Sequence, residues 1–299
     1  MAQLKAASPV TQPAMPRRVD SSLELRFAYD AATRSTLLSE SLYEPPLKVV
    51  RAFTLADGAA LSHLHNVSGG LLGDDRLSLF VRLDENAKVQ LTTTGATRIY
   101  RAREKARPAI QRTEISLAAK AFLEYLPDPI IPFAHARFFQ RTEIQLAPGA
   151  GLFWWEILAP GREASGEQFA YDSVEMKTDL RAQGRLIAAE RVRLEPHKYS
   201  LSSPARLGAY RYWATFYICR VGLDPASWLE LEDHLRETAG DFSRPGKALW
   251  GISTLLGHGL VCRCVALHGR DVVFGLNQLW REAKLALYGT EAVPPRKVN

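Results

Sequence analysis

Arg76-Leu77-Ser78-Leu79-Phe80-Val81-Arg82-Leu83 is the stretch whose reading decides the fold. Leu77, Leu79, Val81 and Leu83 alternate with Arg76, Ser78, Phe80 and Arg82, so one side chain in two points towards a core. Asp84-Glu85-Asn86 reads as a turn, after which Val89, Leu91 and Thr93 resume the alternation. The pattern returns at Ile115 and Leu117, at Ile144 and Leu146, and at Ile187, Val192 and Leu194. Gly69-Gly70, Pro127 to Pro132, Pro148-Gly149 and Pro160-Gly161 punctuate these runs. Many short strands with such punctuation predict a mainly β protein of stacked sheets, solenoid-like or sandwich-like. Strands do not alternate with helices, which argues against a nucleotide-binding parallel sheet, and no repeat of fixed period is evident.

Two helices are predicted, both in the C-terminal third. Asp224-Pro225 reads as an N-cap followed by proline at the first helical position. Ala226 to Ala239 then places Trp228, Leu231 and Leu235 on one face, with Gly240 as a stop. The second helix is expected from about Leu276 to Tyr288, with Leu279, Trp280, Ala283, Leu287 and Tyr288 on its apolar side and Gly289 as C-cap. Between them, Leu255 to Phe274 reads as a strand pair. No linker interrupts the middle of the chain, so residues 21–299 are expected to form one β-rich domain. Residues 1–20 are expected to be a disordered lead-in. Pro9, Pro13, Pro16, Arg17 and Arg18 break up any apolar core that a secretory signal needs.

The 299 residues are 46% hydrophobic and 23% charged, the balance of a globular protein with a substantial core. Cys219, Cys262 and Cys264 are too few and too odd in number for a disulfide framework and fit a reducing, cytoplasmic setting. No stretch approaches the roughly 18 apolar residues of a membrane span. The net charge of +6 favours acidic partners. The arginines are nevertheless spread along the chain, and the densest stretch, Arg98 to Arg107, reads as a solvated face, which disfavours nucleic-acid binding.

Four runs could carry chemistry. Ser68-Gly69-Gly70-Leu71-Leu72-Gly73-Asp74-Asp75 lets backbone approach closely, and its aspartates could hold a cation or cap a turn. It lacks the Gly-Lys-Ser/Thr of a phosphate-binding loop. In Thr92-Thr93-Thr94-Gly95-Ala96-Thr97-Arg98-Ile99-Tyr100-Arg101 the arginines could grip a carboxylate or phosphate, or form a polar edge. Leu123-Glu124-Tyr125-Leu126-Pro127, continued by Ile131-Pro132-Phe133, is forced into an extended path able to pair only at an edge. Trp154-Trp155-Glu156 and Gly161-Arg162-Glu163-Ala164-Ser165-Gly166-Glu167 hold three glutamates near an arginine, as an acid–base pair, a cation site or a salt-bridged turn. His63-x-His65 and Cys262-x-Cys264 lack zinc-site spacing, and no nucleophile elbow or cofactor motif is present.

In series, these runs resemble the UreD/UreH family of urease accessory proteins, in order and spacing from about Leu23 to Pro294. Two departures stand out. Gly73-Asp74-Asp75 replaces the family's usual Gly-Gly-Asp, with Asp75 keeping the acidic position, and the tail ends Pro295-Arg296-Lys297-Val298-Asn299. The resemblance implies a non-catalytic scaffold of stacked sheets with two helices, which binds UreF and through it UreG and docks on urease apoprotein. It implies no tightly bound cofactor, with nickel in transit through a polar internal path. By that analogy Asp75, Glu156 and Glu167 are candidates for transient nickel contact, whose oxygen ligands suit passage because a soft, tight site would trap the ion. Arg98, Tyr100, Arg101 and Arg162 are candidates for ordering the interior or a partner face. The alternative is a carbohydrate-acting β-rich enzyme, which needs a carboxylate pair in an exposed groove beside aromatics such as Trp154 and Trp155.

Overall fold

The computed structural model describes residues 19–295. The expected lead-in lies outside them except for Val19 and Asp20, and so do the last four residues of the tail. Two antiparallel pairs open the chain: β1 (Asp20–Asp30) with β2 (Ser35–Tyr43), then β3 (Leu47–Thr54) with β4 (Ala60–Asn66). Next come β5 (Arg76–Leu83), β6 (Lys88–Thr93), the short β7 (Thr97–Ile99), β8 (Ala109–Leu117) and β9 (Phe122–Leu126). The short β10 (Ile130–Pro132), β11 (Arg137–Leu146) and β12 (Gly151–Leu158) follow. A hairpin of β13 (Ser173–Ala182) and β14 (Arg185–Leu194) precedes β15 (Tyr212–Arg220) and α1 (Pro225–Gly240). β16 (Ala248–Thr254), β17 (Gly259–Ala266) and α2 (Gly269–Tyr288) complete the described chain.

The expected stacked sheets are present. One runs β14-β13-β11-β8-β5-β1-β2; the other runs β16-β17-β15-β12-β9-β6-β4-β3, with β7 and β10 beside it. Parallel neighbours normally need a helical crossover. Here β5, β8 and β11 pair in parallel in one sheet, and the chain returns between them through β6 and β9 of the other. Successive strand pairs therefore stack as solenoid coils. They begin at Arg76, Ala109 and Arg137, unequal intervals that leave no fixed period in the sequence. At one corner the turns stack as well, the Asn86 amide donating to Ala119 O and the Lys120 amide to Pro148 O. Asn86, Lys120 and Gly149 hold the left-handed conformation there (φ 62°, 58° and 73°), the residue that reverses each coil.

The alternating positions of β5 do face a core. Leu79, Val81 and Leu83 join Leu91, Ile115, Leu123, Ile144 and Leu152 between the sheets. A second core lies on the outer face of the larger sheet, where Phe153, Phe216, Leu260 and Cys262 meet Trp228, Leu231 and Leu235 of α1 and Leu279, Trp280 and Ala283 of α2. The order of layers is thus sheet, sheet, helices. Among the described residues, no helix is long and apolar enough to cross a membrane.

Asp224 caps α1 as expected, its carboxylate accepting from the Ser227 amide at 3.0 Å, but Gly240 is the last helical residue and not a left-handed stop. α2 begins at Gly269, earlier than expected, because His268 at its N-cap makes no side-chain capping bond and so leaves no cap signal. The expected strand pair over Leu255 to Phe274 is corrected accordingly. The pair is β16 with β17, its turn at Leu255 to His258, and residues 269–274 are helical. Gly289 ends α2 in the left-handed conformation, as expected.

Gly275 lets α2 lie close to β16. A Cβ there would stand 2.3 Å from Trp250 Cζ2 and 2.9 Å from Phe242 Cε2. Gly275→Val is expected to lose about 1–3 kcal/mol in a chemical denaturation curve, the usual cost of overpacking. Unchanged stability would show that the Trp250 ring swings aside freely.

Candidate functional site

β12 is buried along its whole length because both of its faces are covered. Leu152 and Trp154 point between the sheets, and Phe153, Trp155 and Ile157 point at the helices. Glu156 shares the parity of Trp154 and therefore enters the space between the sheets. Trp154 stacks on Tyr217 with ring centroids 5.3 Å apart, and the Trp155 indole N–H donates to Pro127 O at 2.9 Å. Only 1% of Trp154 and 8% of Trp155 is exposed, and they lie on opposite faces, so they do not form the exposed aromatic groove of the carbohydrate reading.

A cavity of about 260 Å³ opens beside Glu156. Gln111 and Thr113 of β8 and Gln140 and Thr142 of β11 line it from one sheet, and Tyr125, Trp154 and Glu156 line it from the other. Register places these polar groups side by side: Gln140 opposite Gln111, and Thr142 between Thr113 and Thr178. The Gln140 amide donates to Glu156 Oε1. Burial pushes the Glu156 carboxyl up to about 8, the Gln140 bond opposing and the Glu190 charge reinforcing the rise.

Polar groups continue beyond the cavity. Glu156 stands opposite Thr215 in the β12–β15 ladder, and Thr215 stands opposite Arg263 in the β15–β17 ladder. Glu190 of β14 accepts from Tyr217 Oη at 2.5 Å and pairs with Arg263 at 3.4 Å, where Arg263 is about half exposed. Among the described residues, the buried Trp154 Nε1 and Thr215 Oγ1 lack hydrogen-bond partners. A file of polar side chains thus crosses an otherwise apolar sandwich.

The four runs singled out in the sequence meet at the cavity mouth. Leu71 N donates to Arg98 O and Tyr100 N to Leu71 O, both at 2.8 Å, joining the glycine run to the threonine run. The proline run does not lie at an edge as expected: β9 pairs with both β6 and β12, and β10 with both β7 and β12, because Pro127 and Pro129 fall between the two strands and Pro132 is the last residue of β10. Thr93 Oγ1 donates to Asp128 Oδ2 at 2.9 Å and accepts from Asp128 N at 2.8 Å. The Arg162 guanidinium lies 4.3 Å from the Phe133 ring centroid, and Tyr100 packs edge-on against the same ring. Arg98 lines the mouth and is exposed, as is Arg101.

Of the three acidic candidates, only Glu156 lines the cavity. The Asp75 carboxylate accepts from Leu72 N at 2.8 Å and Val19 N at 3.1 Å, bracing the turn before β5. Glu167 accepts from Arg162 Nε at 2.9 Å and Ala134 N at 3.1 Å, and the guanidinium holds its carboxyl below the usual range. His63 and His65 sit half-buried on β4, and burial lowers the His65 pKa. All three cysteines are free and buried, with their thiols pushed up by desolvation.

Gln111, Thr113, Gln140, Thr142, Thr215 and Glu190 are not singled out by the sequence motifs. A signal is present for the first four. Gln140 and Thr142 share the strand parity of Ile144 and Leu146, and Gln111 and Thr113 share that of Ile115 and Leu117. A polar residue at core parity is the mark of a polar interior.

The model of the family described as "UreD urease accessory protein" matches residues 20–299. A Herpetosiphon aurantiacus protein named "Urease accessory protein UreD" is 48% identical over 263 residues, covering 88% of this chain and 91% of the relative. A protein of the same name from Pseudomonas aeruginosa is 36% identical over 274 residues, covering 91% and 93%. The chain belongs to the UreD family of urease accessory proteins.

Proposed function

We propose that this chain is a non-catalytic, cytoplasmic scaffold for urease maturation, and that nickel(II) passes through it along the file of polar side chains between the sheets. In this reading it works with UreF and UreG and docks on urease apoprotein. One observation carries the proposal: Gln111, Thr113, Gln140, Thr142 and Glu156 line a cavity in a sandwich where apolar side chains would pack more cheaply. Amide, hydroxyl and carboxyl oxygens hold nickel loosely enough to release it, unlike thiolates. Glu156 is the nickel-contacting group of this path, its carboxyl giving up its proton as the ion binds. Asp75 and Glu167, held by backbone amides and by Arg162, shape the loops at its mouth. Arg98, Tyr100, Arg101 and Arg162 face the end where a protein partner would deliver or receive the ion.

The test is the nickel content of urease co-expressed with the other accessory proteins, with and without this chain and with single variants of it. Nickel loading is expected to collapse without the chain. It should fall about tenfold with Glu156→Gln, equivalent to roughly 1.4 kcal/mol of lost stabilisation of the passing ion. Asp75→Asn and Glu167→Gln should leave most loading intact. Fully metallated urease in the absence of the chain would sink the maturation role, and undiminished loading with Glu156→Gln would sink the path.

A further inference from the structure

We infer that His135, Asp172 and His197 form a second, surface metal site for a first-row divalent cation such as nickel(II) or zinc(II). It shares no residue with the inter-sheet path and stands whether or not that path carries nickel. The fold assembles it from three loops at one end of the smaller sheet. β11 and β13 are parallel, with Arg137 opposite Ser173, so His135 and Asp172 both lie just before the first residues of neighbouring strands. β14 runs antiparallel to β13, with Leu194 opposite Val174, so the chain leaving β14 brings His197 to the same end.

The geometry suits an ion. Asp172 Oδ1 lies 3.2 Å from His135 Nδ1 and 3.8 Å from His197 Nε2, and the three donor atoms lie within 4.8 Å of one another. Two donors about 2.1 Å from a shared ion, at tetrahedral or octahedral angles, stand roughly 3.0–3.4 Å apart. The imidazoles are parallel, 13° between planes and 6.2 Å between centroids, so a small turn of the exposed His197 ring closes the set. Two imidazoles and one carboxylate are a donor set for zinc, nickel or iron that leaves coordination positions open. His135 is held in place for this role. Its amide donates to Ala170 O at 2.8 Å, its carbonyl accepts from Ala102 N at 3.1 Å, and its φ is +60°. The neighbouring carboxylate, Glu195, is already engaged by Arg193 and Lys198. Exposure and open positions make the site one of exchangeable metal, able to accept a ligand from a bound partner.

The test is calorimetric titration of the full chain with nickel(II) and separately with zinc(II), for the wild type, His135→Asn, His197→Gln, the double variant and Glu156→Gln. Asparagine at position 135 tolerates the left-handed backbone, so folding is preserved, and thermal melting of each variant checks this. A site that weakens about tenfold or more in each histidine variant, vanishes in the double variant and survives Glu156→Gln supports the inference. No binding to the wild type, or an isotherm unchanged in the double variant, overturns it. Loss of nickel loading in urease with Glu156→Gln while this isotherm persists separates the two sites.

Discussion

Lys284→Met is expected to lower the unfolding free energy by roughly 3–5 kcal/mol, the cost of leaving a buried charge without its partner. Lys284 and Glu124 are the best-buried ion pair among the described residues, with side chains 4% and 3% exposed and Nζ 2.8 Å from Oε2. The Trp280 indole N–H donates to the other oxygen, Oε1, at 2.6 Å. These contacts fasten α2 to β9 across the core that covers the outer face of the larger sheet. Burial pushes the Glu124 carboxyl up, while Lys284 and the Trp280 bond pull it down. Without the ammonium, Glu124 must take up a proton or remain charged in an apolar core, and either course destabilises the native state. Glu124→Gln combined with Lys284→Met should recover much of the loss, because a neutral amide still accepts from Trp280. Guanidinium denaturation of the wild type, the single variant and the double variant decides the matter. A single-variant loss below about 1 kcal/mol would mean that the helix is not anchored by this pair.

Glu156→Gln is expected to make the protein more stable than the wild type at alkaline pH, and the gap should shrink as pH falls. The Glu156 carboxyl titrates near 8 in the folded chain, against 4.5 for the free side chain. Between those values the native state holds a proton that the unfolded chain has released, so wild-type stability falls as pH rises through this window. A tenfold change in proton affinity is worth about 1.4 kcal/mol, so the full penalty above pH 8 is on the order of a few kcal/mol. Below pH 4.5 both states are protonated and the contribution is absent. The glutamine side chain carries no such titration and still offers a carbonyl to the Gln140 amide. Urea midpoints for both proteins at pH 5 and pH 8.5 measure the gap. A gap independent of pH would mean that Glu156 is well solvated, and would remove the buried carboxylate on which the proposed path depends.

Much of the fold is legible in the sequence because alternation is a local signal. Leu77 to Leu83 lie on a strand with one face in a core, and the glycine and proline clusters do separate the strands. The legible helix start is the one with a capping aspartate, Asp224, whereas the start of α2, without a side-chain cap, reads too late. β12 is not read as a strand from the sequence, because a strand covered on both faces loses the alternation that marks the others. That is why Trp154 and Trp155 read as neighbours in a groove when they occupy opposite cores.

By itself the sequence determined the β-rich class, the two late helices, and four motifs whose order carries the family resemblance, because each depends on residues close along the chain. Tertiary structure decided what those motifs do to one another. Stacked coils bring the glycine, threonine, proline and glutamate runs to one cavity mouth and send Glu156 inward while Asp75 and Glu167 brace turns. It also decided which histidines meet. His63 and His65 are close in sequence and half-buried on one strand, whereas His135, Asp172 and His197 come together only because β11, β13 and β14 are neighbours. Strand order is set by cores and ladders that join distant residues, and no local pattern of side chains records it.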